Sequence, residues 1–113
     1  MTSKAKLCKQ CDKLWYQKLI KPQCEVCGKK AIQVHHYYYK GSYGHLRYDL
    51  DNGISLCQGC HFVLHSRDPK KIEQQIIAKR GQKWAKTLEA KAKELHKSYT
   101  TIGYYKDIIE ELK

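Results

Sequence analysis

Two Cys-x2-Cys pairs, roughly thirty residues apart, constrain the fold of this chain more than any other feature. They are Cys24/Cys27 and Cys57/Cys60, in a chain of 113 residues. Thiolates are soft ligands that suit zinc, and two such pairs at this separation can close a four-coordinate structural site. The segment that they enclose is too small to be stabilised by burial alone, so a zinc ion that staples it is expected.

The chain is strongly basic. It has 22 Lys and Arg against 11 Asp and Glu, a formal net charge of +11. A zinc ion bound by four thiolates would itself carry a net charge of about −2, which leaves a large positive excess. Because the excess is spread along the chain, it predicts a basic face that binds a polyphosphate, DNA or RNA.

Cysteine usage and hydropathy indicate the compartment. The N-terminal stretch MTSKAKLCKQ lacks the apolar region of a signal peptide, and no apolar run is long enough to span a membrane. All 6 cysteines lie in Cys-x2-Cys pairs, which favours metal binding in a reducing compartment over disulfides. We therefore expect a cytoplasmic protein without membrane contact.

Alternating and helical patterns predict an α+β fold for the cysteine-rich segment. Residues 31–37 read as a strand in which His35 and His36 point to opposite sides. A second short strand contains Ile54 and Leu56, and a helix follows from the second cysteine pair. In that helix the histidines at positions 61 and 65 share a face, since residues four apart are neighbours.

The pattern divides the chain into three parts. Residues 1–12 read as a polar, basic and poorly ordered segment, 13–67 as the zinc-stapled finger, and 68–113 as a helical extension. Asp68-Pro69 is an N-cap followed by proline at the first helical position, and helices over about 69–80, 82–97 and 105–112 follow. Their narrow apolar stripes predict that they cover a core or form a homodimer.

Three features carry a family resemblance: the doublet His35-His36, Asn52 between the strands, and the pair His61-x3-His65. Together they resemble the HNH nucleases of the ββα-metal (His-Me finger) superfamily, in the subclass stapled by four cysteines. Colicin-type DNases share the spacing from the asparagine to the two histidines. The phrase LRYDLDNGISLCQGCHF is also similar to phage recombination nucleases of the NinG group. The resemblance covers about residues 13–66.

The resemblance implies a metal-dependent endonuclease that hydrolyses DNA phosphodiester bonds. By position, His35, His61 and His65 would bind one catalytic divalent metal, Mg²⁺, Mn²⁺, Ni²⁺ or Zn²⁺. His36 would be the general base, and Asn52 would hold the loop between the strands and orient it. The four cysteines of the two pairs would bind a structural Zn²⁺ and take no part in the reaction. A phage protein of this kind would act in the cytoplasm of its bacterial host.

The loop between the strands supplies candidate contacts to double-stranded or branched DNA. Arg47 can bind phosphate in a bidentate manner, and Lys40 lies in the same loop. Tyr38 and Tyr43 are rings that can stack on bases, although packing within the protein explains such tyrosines equally well.

The sequence leaves open whether the chain is catalytic, what Cys8 and Cys11 do, and in which pathway a nuclease would act. A non-catalytic zinc module that binds DNA would need the cysteines and lysines, but not the histidine doublet, Asn52 or the helical histidine pair. Cys8 and Cys11 could bind a second zinc ion, replace one pair, or be incidental. Recombination, packaging, restriction and homing are all compatible with a nuclease of this size.

Overall fold

A β-hairpin lies between one N-terminal helix and four later helices in the computed structural model, which describes residues 3–40, 43–94 and 101–113. The fold is α+β, as predicted. Two short 3-10 helices, Gly44–Leu46 and Leu50–Asn52, lie in the loop between the strands. The principal elements are α1 (Lys4–Leu19), β1 (Gln33–His36), β2 (Gly53–Leu56), α2 (Gln58–Ser66), α3 (Pro69–Arg80), α4 (Gln82–Lys93) and α5 (Ile102–Leu112).

The two faces of the hairpin bury different residues. β1 and β2 pair antiparallel, with His35 opposite Ile54 and His36 opposite Gly53. Because alternate residues point to opposite faces, the His36 face lies against α1 and the His35 face lies against α2. The predicted divergence of the two neighbouring histidines is confirmed.

Helix α1 corrects the prediction of a poorly ordered N-terminal segment. Residues 4–12 are helical, and the side chain of Ser3 caps the helix by accepting from the backbone N–H of Lys6 at 3.2 Å. Leu7, Cys11 and Trp15 recur every four residues, so they form one buried stripe. Abundant lysines on the other faces of the helix hid this stripe in the sequence.

The C-terminal third completes two hydrophobic cores rather than forming a separate extension. One core joins the stripe of α1 to Tyr105, Ile109 and Leu112 of α5. The other joins Ile72 and Ile76 of α3 to the cysteine-rich segment and the hairpin. The predicted boundary between residues 12 and 13 falls inside α1. Since the apolar stripes of these helices are covered within the chain, a homodimer through them is not supported.

Several predicted helix boundaries agree with the structure. Asp68 caps α3 by accepting from the backbone N–H of Lys71 at 3.1 Å, and Pro69 is its first residue. Gly81, with φ 98°, ends that helix. Helix α4 ends at Lys93, and the predicted continuation over 95–97 lies outside the described residues. Within the part of the chain that the structure describes, no helix has both the length and the apolar character needed to cross a membrane.

A largely buried ion pair joins α3 to the finger. Arg80 donates to both carboxylate oxygens of Glu25 at 2.9 Å and to the backbone carbonyl of Gly53 at 2.7 Å. Glu25 also accepts from the backbone N–H of Ser55 at 2.7 Å. Such bidentate guanidinium–carboxylate pairs have a fixed geometry, so this pair sets how α3 lies against β2.

The close approach of α1 to the hairpin depends on Gly53. A Cβ atom at this position would collide with Leu19 Cδ1 and lie 2.8 Å from Trp15 Cζ2. We expect Gly53→Ala to lower the free energy of unfolding by about 1–3 kcal/mol, because an added methyl group would force α1 away from the sheet. Urea denaturation followed by circular dichroism measures this change.

Gly103→Ala is the matched control for that substitution. Gly103 lies in α5, and a Cβ atom there would have nothing within 4 Å. Since alanine is the better helix former, we expect unchanged or slightly raised stability. Equal stability of Gly53→Ala and wild type would show that α1 does not approach the hairpin as closely as described.

Candidate metal centres and active site

The four cysteines of the two pairs converge on one point. Their sulfur atoms all lie within 4.8 Å of one another, and Cys27 Sγ lies 3.4 Å from Cys57 Sγ. A tetrahedral zinc site with Zn–S bonds of about 2.3 Å requires sulfurs about 3.8 Å apart. The cluster therefore fits a closed structural zinc site, as the sequence predicts.

Backbone N–H groups around the cysteines favour the ionised form of Cys24. Gly28, with φ 80°, makes the tight turn after the first pair, and backbone N–H groups point at two of the sulfurs. Val26 donates to Cys24 Sγ at 3.4 Å, and Cys60 donates to Cys57 Sγ at 3.3 Å. Burial opposes ionisation of Cys24, but the backbone N–H groups of Cys27, Cys57 and Val26 outweigh it and lower its pKa to about 7, whereas burial raises the pKa of Cys60. Thiolates are the form that binds zinc.

Three histidines form a second cluster on the other side of the hairpin from α1. His35 comes from β1, while His61 and His65 lie one turn apart on α2, and their ligand nitrogens lie within 4.8 Å of one another. Burial, together with the neighbouring imidazoles, lowers the pKa of His35 to about 3, and burial also lowers the pKa of His61. Neutral imidazoles offer lone pairs to a cation, and three ligands leave coordination positions open. The donor set therefore fits a catalytic divalent metal.

The histidine cluster lines a cleft of about 280 Å³ that also contains His36. A larger groove of about 610 Å³ lies on the other side of α2. Its lining contains lysines, glutamines, cysteines and apolar side chains, but no imidazole or carboxylate, so the groups that could act as acid or base lie in the smaller cleft. The residues that line the smaller cleft are Gln33, Val34, His35, His36, Tyr39, Lys40, His61 and His65.

Gln33 is a cleft residue that the sequence reasoning missed. Its side-chain amide nitrogen lies 2.7 Å from His61 Nε2. Because an amide nitrogen only donates, His61 Nε2 accepts, and Gln33 uses the lone pair that a cation would need. Strand alternation could have found this residue, since Gln33 lies two positions before His35 and on the same face.

The imidazole ring of His36 is fixed by a hydrogen bond at its edge and by a stacked indole on one face. Its ring stacks on Trp15 with 4.1 Å between centroids and 7° between planes. Its Nε2 donates to the carbonyl oxygen of Arg47 at 3.0 Å. Burial lowers the pKa of His36, although the hydrogen bond to that carbonyl opposes the shift. The ring is therefore neutral at pH 7, with the proton on Nε2 and a lone pair on Nδ1.

Asn52 closes the loop between the strands. It is fully buried, and its Oδ1 accepts from the backbone N–H of Tyr38 at 2.7 Å. Its Nδ2 donates to the carbonyl oxygens of Tyr38 and Leu46, both at 3.1 Å. Leu46 precedes Arg47, whose carbonyl holds His36. Asn52 thus makes backbone hydrogen bonds of the kind that the family resemblance implies.

Arg47 does not lie free to clamp a phosphate, contrary to the prediction. Its Nε and Nη2 donate to the two carboxylate oxygens of Asp12 at 3.0 and 2.7 Å. Asp12 belongs to α1, so the sequence reasoning, which left that segment disordered, could not find this partner. The pairing makes the Arg47 side chain part of the contact between α1 and the loop.

Of the tyrosines in this loop, the two predicted to stack on bases pack within the protein. The rings of Tyr38 and Tyr43 meet edge to face at 5.0 Å, and Tyr38 also contacts Tyr37 at 5.3 Å. Burial raises the pKa of Tyr38. Tyr39, in contrast, is 67% exposed and lines the cleft beside Lys40. The amino-acid sequence of the loop gave no signal that distinguishes the exposed Tyr39 from the neighbouring tyrosines.

Cys8 and Cys11 pack in the core between α1 and α5. Cys11 is fully buried and donates to the carbonyl oxygen of Tyr105 at 3.4 Å, while Cys8 Sγ lies 3.1 Å from Tyr48 Oη. Burial raises the pKa of Cys11 to about 11, which disfavours the thiolate. Neither cysteine belongs to a metal-competent cluster of the described residues. The structure therefore favours the incidental alternative for this pair.

Comparison with known proteins identifies the segment that carries both clusters. A family model described as HNH endonuclease matches residues 24–67, which is less than half of the chain. No curated protein and no solved structure gives a match. The resemblance to HNH nucleases is thereby confirmed for this segment, and it supports a nuclease-type or DNA-binding function with bound metal. The narrower likeness to phage recombination nucleases stays a prediction.

The cysteine cluster leads to a test with a matched control. Cys57→Ser should yield a largely unfolded protein that lacks zinc, because a closed thiolate site contributes folding free energy directly. Cys8→Ser should fold and retain about one zinc ion per chain after mild chelation, since Cys8 lies outside the cluster. Circular dichroism and elemental analysis measure both properties. A folded, zinc-loaded Cys57→Ser protein would contradict the structural assignment.

Proposed function

We propose that this chain is a metal-dependent endonuclease that hydrolyses DNA phosphodiester bonds in the histidine cleft. One observation carries the proposal: an open cluster of three histidines and the neighbouring His36 line the same cleft. The family match over residues 24–67 supports it. A module that only binds DNA would need the cysteine cluster and the basic surface, but it would not need this cleft.

In this proposal His35, His61 and His65 hold the catalytic metal. A divalent cation bound there supplies stabilisation of the negative charge that develops on the phosphoryl oxygens and on the leaving 3′-oxygen. Burial lowers the pKa of His35 and of His61, so the lone pairs of these two imidazoles are available at pH 7. Gln33 must turn away from His61 Nε2 for that nitrogen to become a ligand.

His36 is the general base. Its Nε2–H donates to the Arg47 carbonyl, so the neutral ring can accept the proton of the attacking water only at Nδ1. The same hydrogen bond remains after protonation and stabilises the imidazolium that forms. Asn52 supports this arrangement from one residue away, because it fixes the backbone of Leu46. Asn52 is thus a positioning residue in our proposal.

DNA is the substrate that the charge and the rim of the cleft favour. The chain carries a formal net charge of +11, and Lys40 and the exposed ring of Tyr39 lie at the cleft. Lys29, Lys30 and Lys71 line the groove on the other side of α2, so positive charge flanks this helix. Phosphate contacts on both sides suit double-stranded or branched DNA.

A role in phage DNA recombination is the narrower form of this proposal. It rests on the similarity of LRYDLDNGISLCQGCHF to nucleases of that class. We expect branched DNA to be cut faster than linear duplex of the same sequence. Equal rates on the two substrates would remove the recombination role and leave the nuclease assignment intact.

Single substitutions of His35 and His36 distinguish the proposed metal ligand from the proposed general base. His36→Ala should lower the single-turnover cleavage rate by about 10²–10⁴-fold with nearly unchanged affinity for metal and DNA. His35→Ala should weaken metal binding together with activity, because it removes one of three ligands. Calorimetric metal titration and single-turnover kinetics measure these effects, with Mg²⁺, Mn²⁺, Ni²⁺ and Zn²⁺ each added after chelation.

His45→Gln is the control for those variants, since His45 bonds to the carbonyl of Lys91 and lies outside the cleft. We expect it to cut DNA at close to the wild-type rate. If His36→Ala also cuts at the wild-type rate, the assignment of the base is wrong. If wild type cuts no DNA with any of these metals, the alternative of a DNA-binding module replaces the nuclease.

Binding measurements test the contacts at the rim of the cleft. Lys40→Gln should reduce the slope of log affinity against log salt by about 0.9 for duplex DNA, as the loss of one phosphate contact predicts. Tyr39→Ala should weaken binding to single-stranded DNA by about 1–3 kcal/mol through loss of stacking. Fluorescence anisotropy without divalent metal measures both.

Two variants control for general effects of charge and aromatic content. Lys93 is exposed and pairs with Glu89 at 3.2 Å, so Lys93→Gln should change the salt slope less than Lys40→Gln. Tyr38→Ala should leave binding to single-stranded DNA nearly unchanged, because that ring packs against Tyr43. A larger effect of Tyr38→Ala than of Tyr39→Ala would reverse our assignment of the two rings.

A further inference from the structure

We propose that Trp15 is a positioning residue for His36, so that α1 is part of the active site. Helix α1 (Lys4–Leu19) lies entirely outside the segment 24–67 that matches the HNH family model. The proposal rests on the proposed role of His36 as general base.

The first contact of α1 with His36 is through the face of the ring. The indole of Trp15 lies 4.1 Å from the imidazole and within 7° of parallel, and Trp15 is only 3% exposed. The indole is itself fixed, because its Nε1 donates to the carbonyl oxygen of Asp49 at 3.0 Å. Rotation of His36 about its side-chain torsions would therefore have to displace a buried and hydrogen-bonded ring.

The second contact is indirect and acts on the edge of the ring. Asp12, one turn before Trp15 on the same helix, forms the bidentate ion pair with Arg47. The carbonyl of Arg47 accepts the Nε2–H of His36. Asp12 thereby holds Arg47, whose carbonyl fixes the tautomer of His36, while Trp15 fixes the plane of the His36 ring. Together they direct Nδ1 of His36.

Gly53 makes the stack possible. It is the cross-strand partner of His36, and a side chain at this position would occupy the space of Trp15. Earlier on the same stripe of α1, Leu7 and Cys11 pack against α5, which braces the helix. The indole thus fills a site that the missing Cβ of Gly53 leaves open, on a helix that α5 holds in place.

Helix α1 acts on the base without touching the proposed metal ligands. Among the described residues, the ring contacts of His35, His61 and His65 are with one another. His35 points to the other face of the hairpin. Loss of the indole should therefore affect proton abstraction and leave metal and DNA binding intact. A merely structural role of Trp15 predicts no such separation.

Single-turnover cleavage by the full chain with Mn²⁺ and saturating DNA tests this proposal. Trp15→Leu should lower the rate by about 10–100-fold, the effect of misplacing a reacting group, with dissociation constants for Mn²⁺ and DNA close to wild type. Trp15→Phe should recover most of the rate, because a ring still stacks. In a His36→Ala background, Trp15→Leu should cause no further loss, since the two residues act as a unit.

Leu7→Ala is the matched control. Leu7 is buried on the same stripe of α1, two turns from Trp15, so the substitution lowers stability without removing the stack. We expect its rate per folded molecule to match wild type. A rate loss equal to that of Trp15→Leu would show that only the stability of α1 matters, and would overturn the positioning role.

A spectroscopic readout keeps the proposal independent of activity. The side-chain protons of His36 should be shifted upfield in NMR spectra by the ring current of Trp15, and Trp15→Leu should abolish this shift. If the shift is absent in wild type, or if folded Trp15→Leu cuts at the wild-type rate, the proposal fails while the nuclease assignment stands. If wild type cuts no DNA, the assignment fails and the shift still tests the stack.

Asp12→Asn decides the case in which Trp15→Leu does not fold. Asp12 is partly exposed, so its replacement preserves the core but weakens the ion pair with Arg47. We expect a lower cleavage rate with unchanged Mn²⁺ and DNA affinity. If Asp12→Asn cuts at the wild-type rate, the ion pair with Arg47 does not position the base. If Trp15→Phe retains the upfield shift but cuts at a reduced rate, the stacked ring does not position the base either.

Discussion

The convergence of four thiolates on one point determines the geometry of the rest of the finger. One cysteine pair precedes β1, and the other lies at the junction of β2 and α2. A zinc ion that joined them would fix the hairpin against the helix, which the few hydrogen bonds of a two-stranded sheet could not do alone. His35 on β1 meets the pair His61 and His65 on α2 across this junction. We therefore expect zinc at the cysteine cluster to strengthen metal binding at the histidine cluster.

Strand alternation gives two adjacent histidines different surroundings. His35 is enclosed with two other imidazoles, which suits a metal ligand. His36, one residue later, lies against an indole and a backbone carbonyl, which suits a base with a defined tautomer. The two side chains need no separation in sequence because the pleat separates them in space. The dipeptide thus places two imidazoles in different environments through the geometry of the backbone alone.

Much of the site could be predicted from sequence because its signals are local. The cysteine spacing, the alternation through His35 and His36, and the cap at Asp68 each depend on neighbouring residues. Helical spacing over residues 13–20 predicts the second half of α1, but its first half could not be predicted, since the partner of its apolar stripe lies far along the chain: Cys11 and Tyr105 are 94 positions apart. The pairing of Asp12 with Arg47, and the exposure of Tyr39 rather than Tyr38, are likewise decided by tertiary packing, which residue patterns do not record.

The docking of α1 on α5 also has a consequence for biosynthesis. Contacts between segments so distant in sequence form late, since a large loop must close first. The two cysteine pairs of the zinc-stapled finger, the hairpin and α2 can assemble once α2 has left the ribosome, whereas α1 is braced only after α5 has emerged. During translation, therefore, a nascent chain would carry both metal clusters before the indole is fixed beneath His36. Under the proposed function, the orientation of His36 would therefore be completed only when α5 has docked on α1.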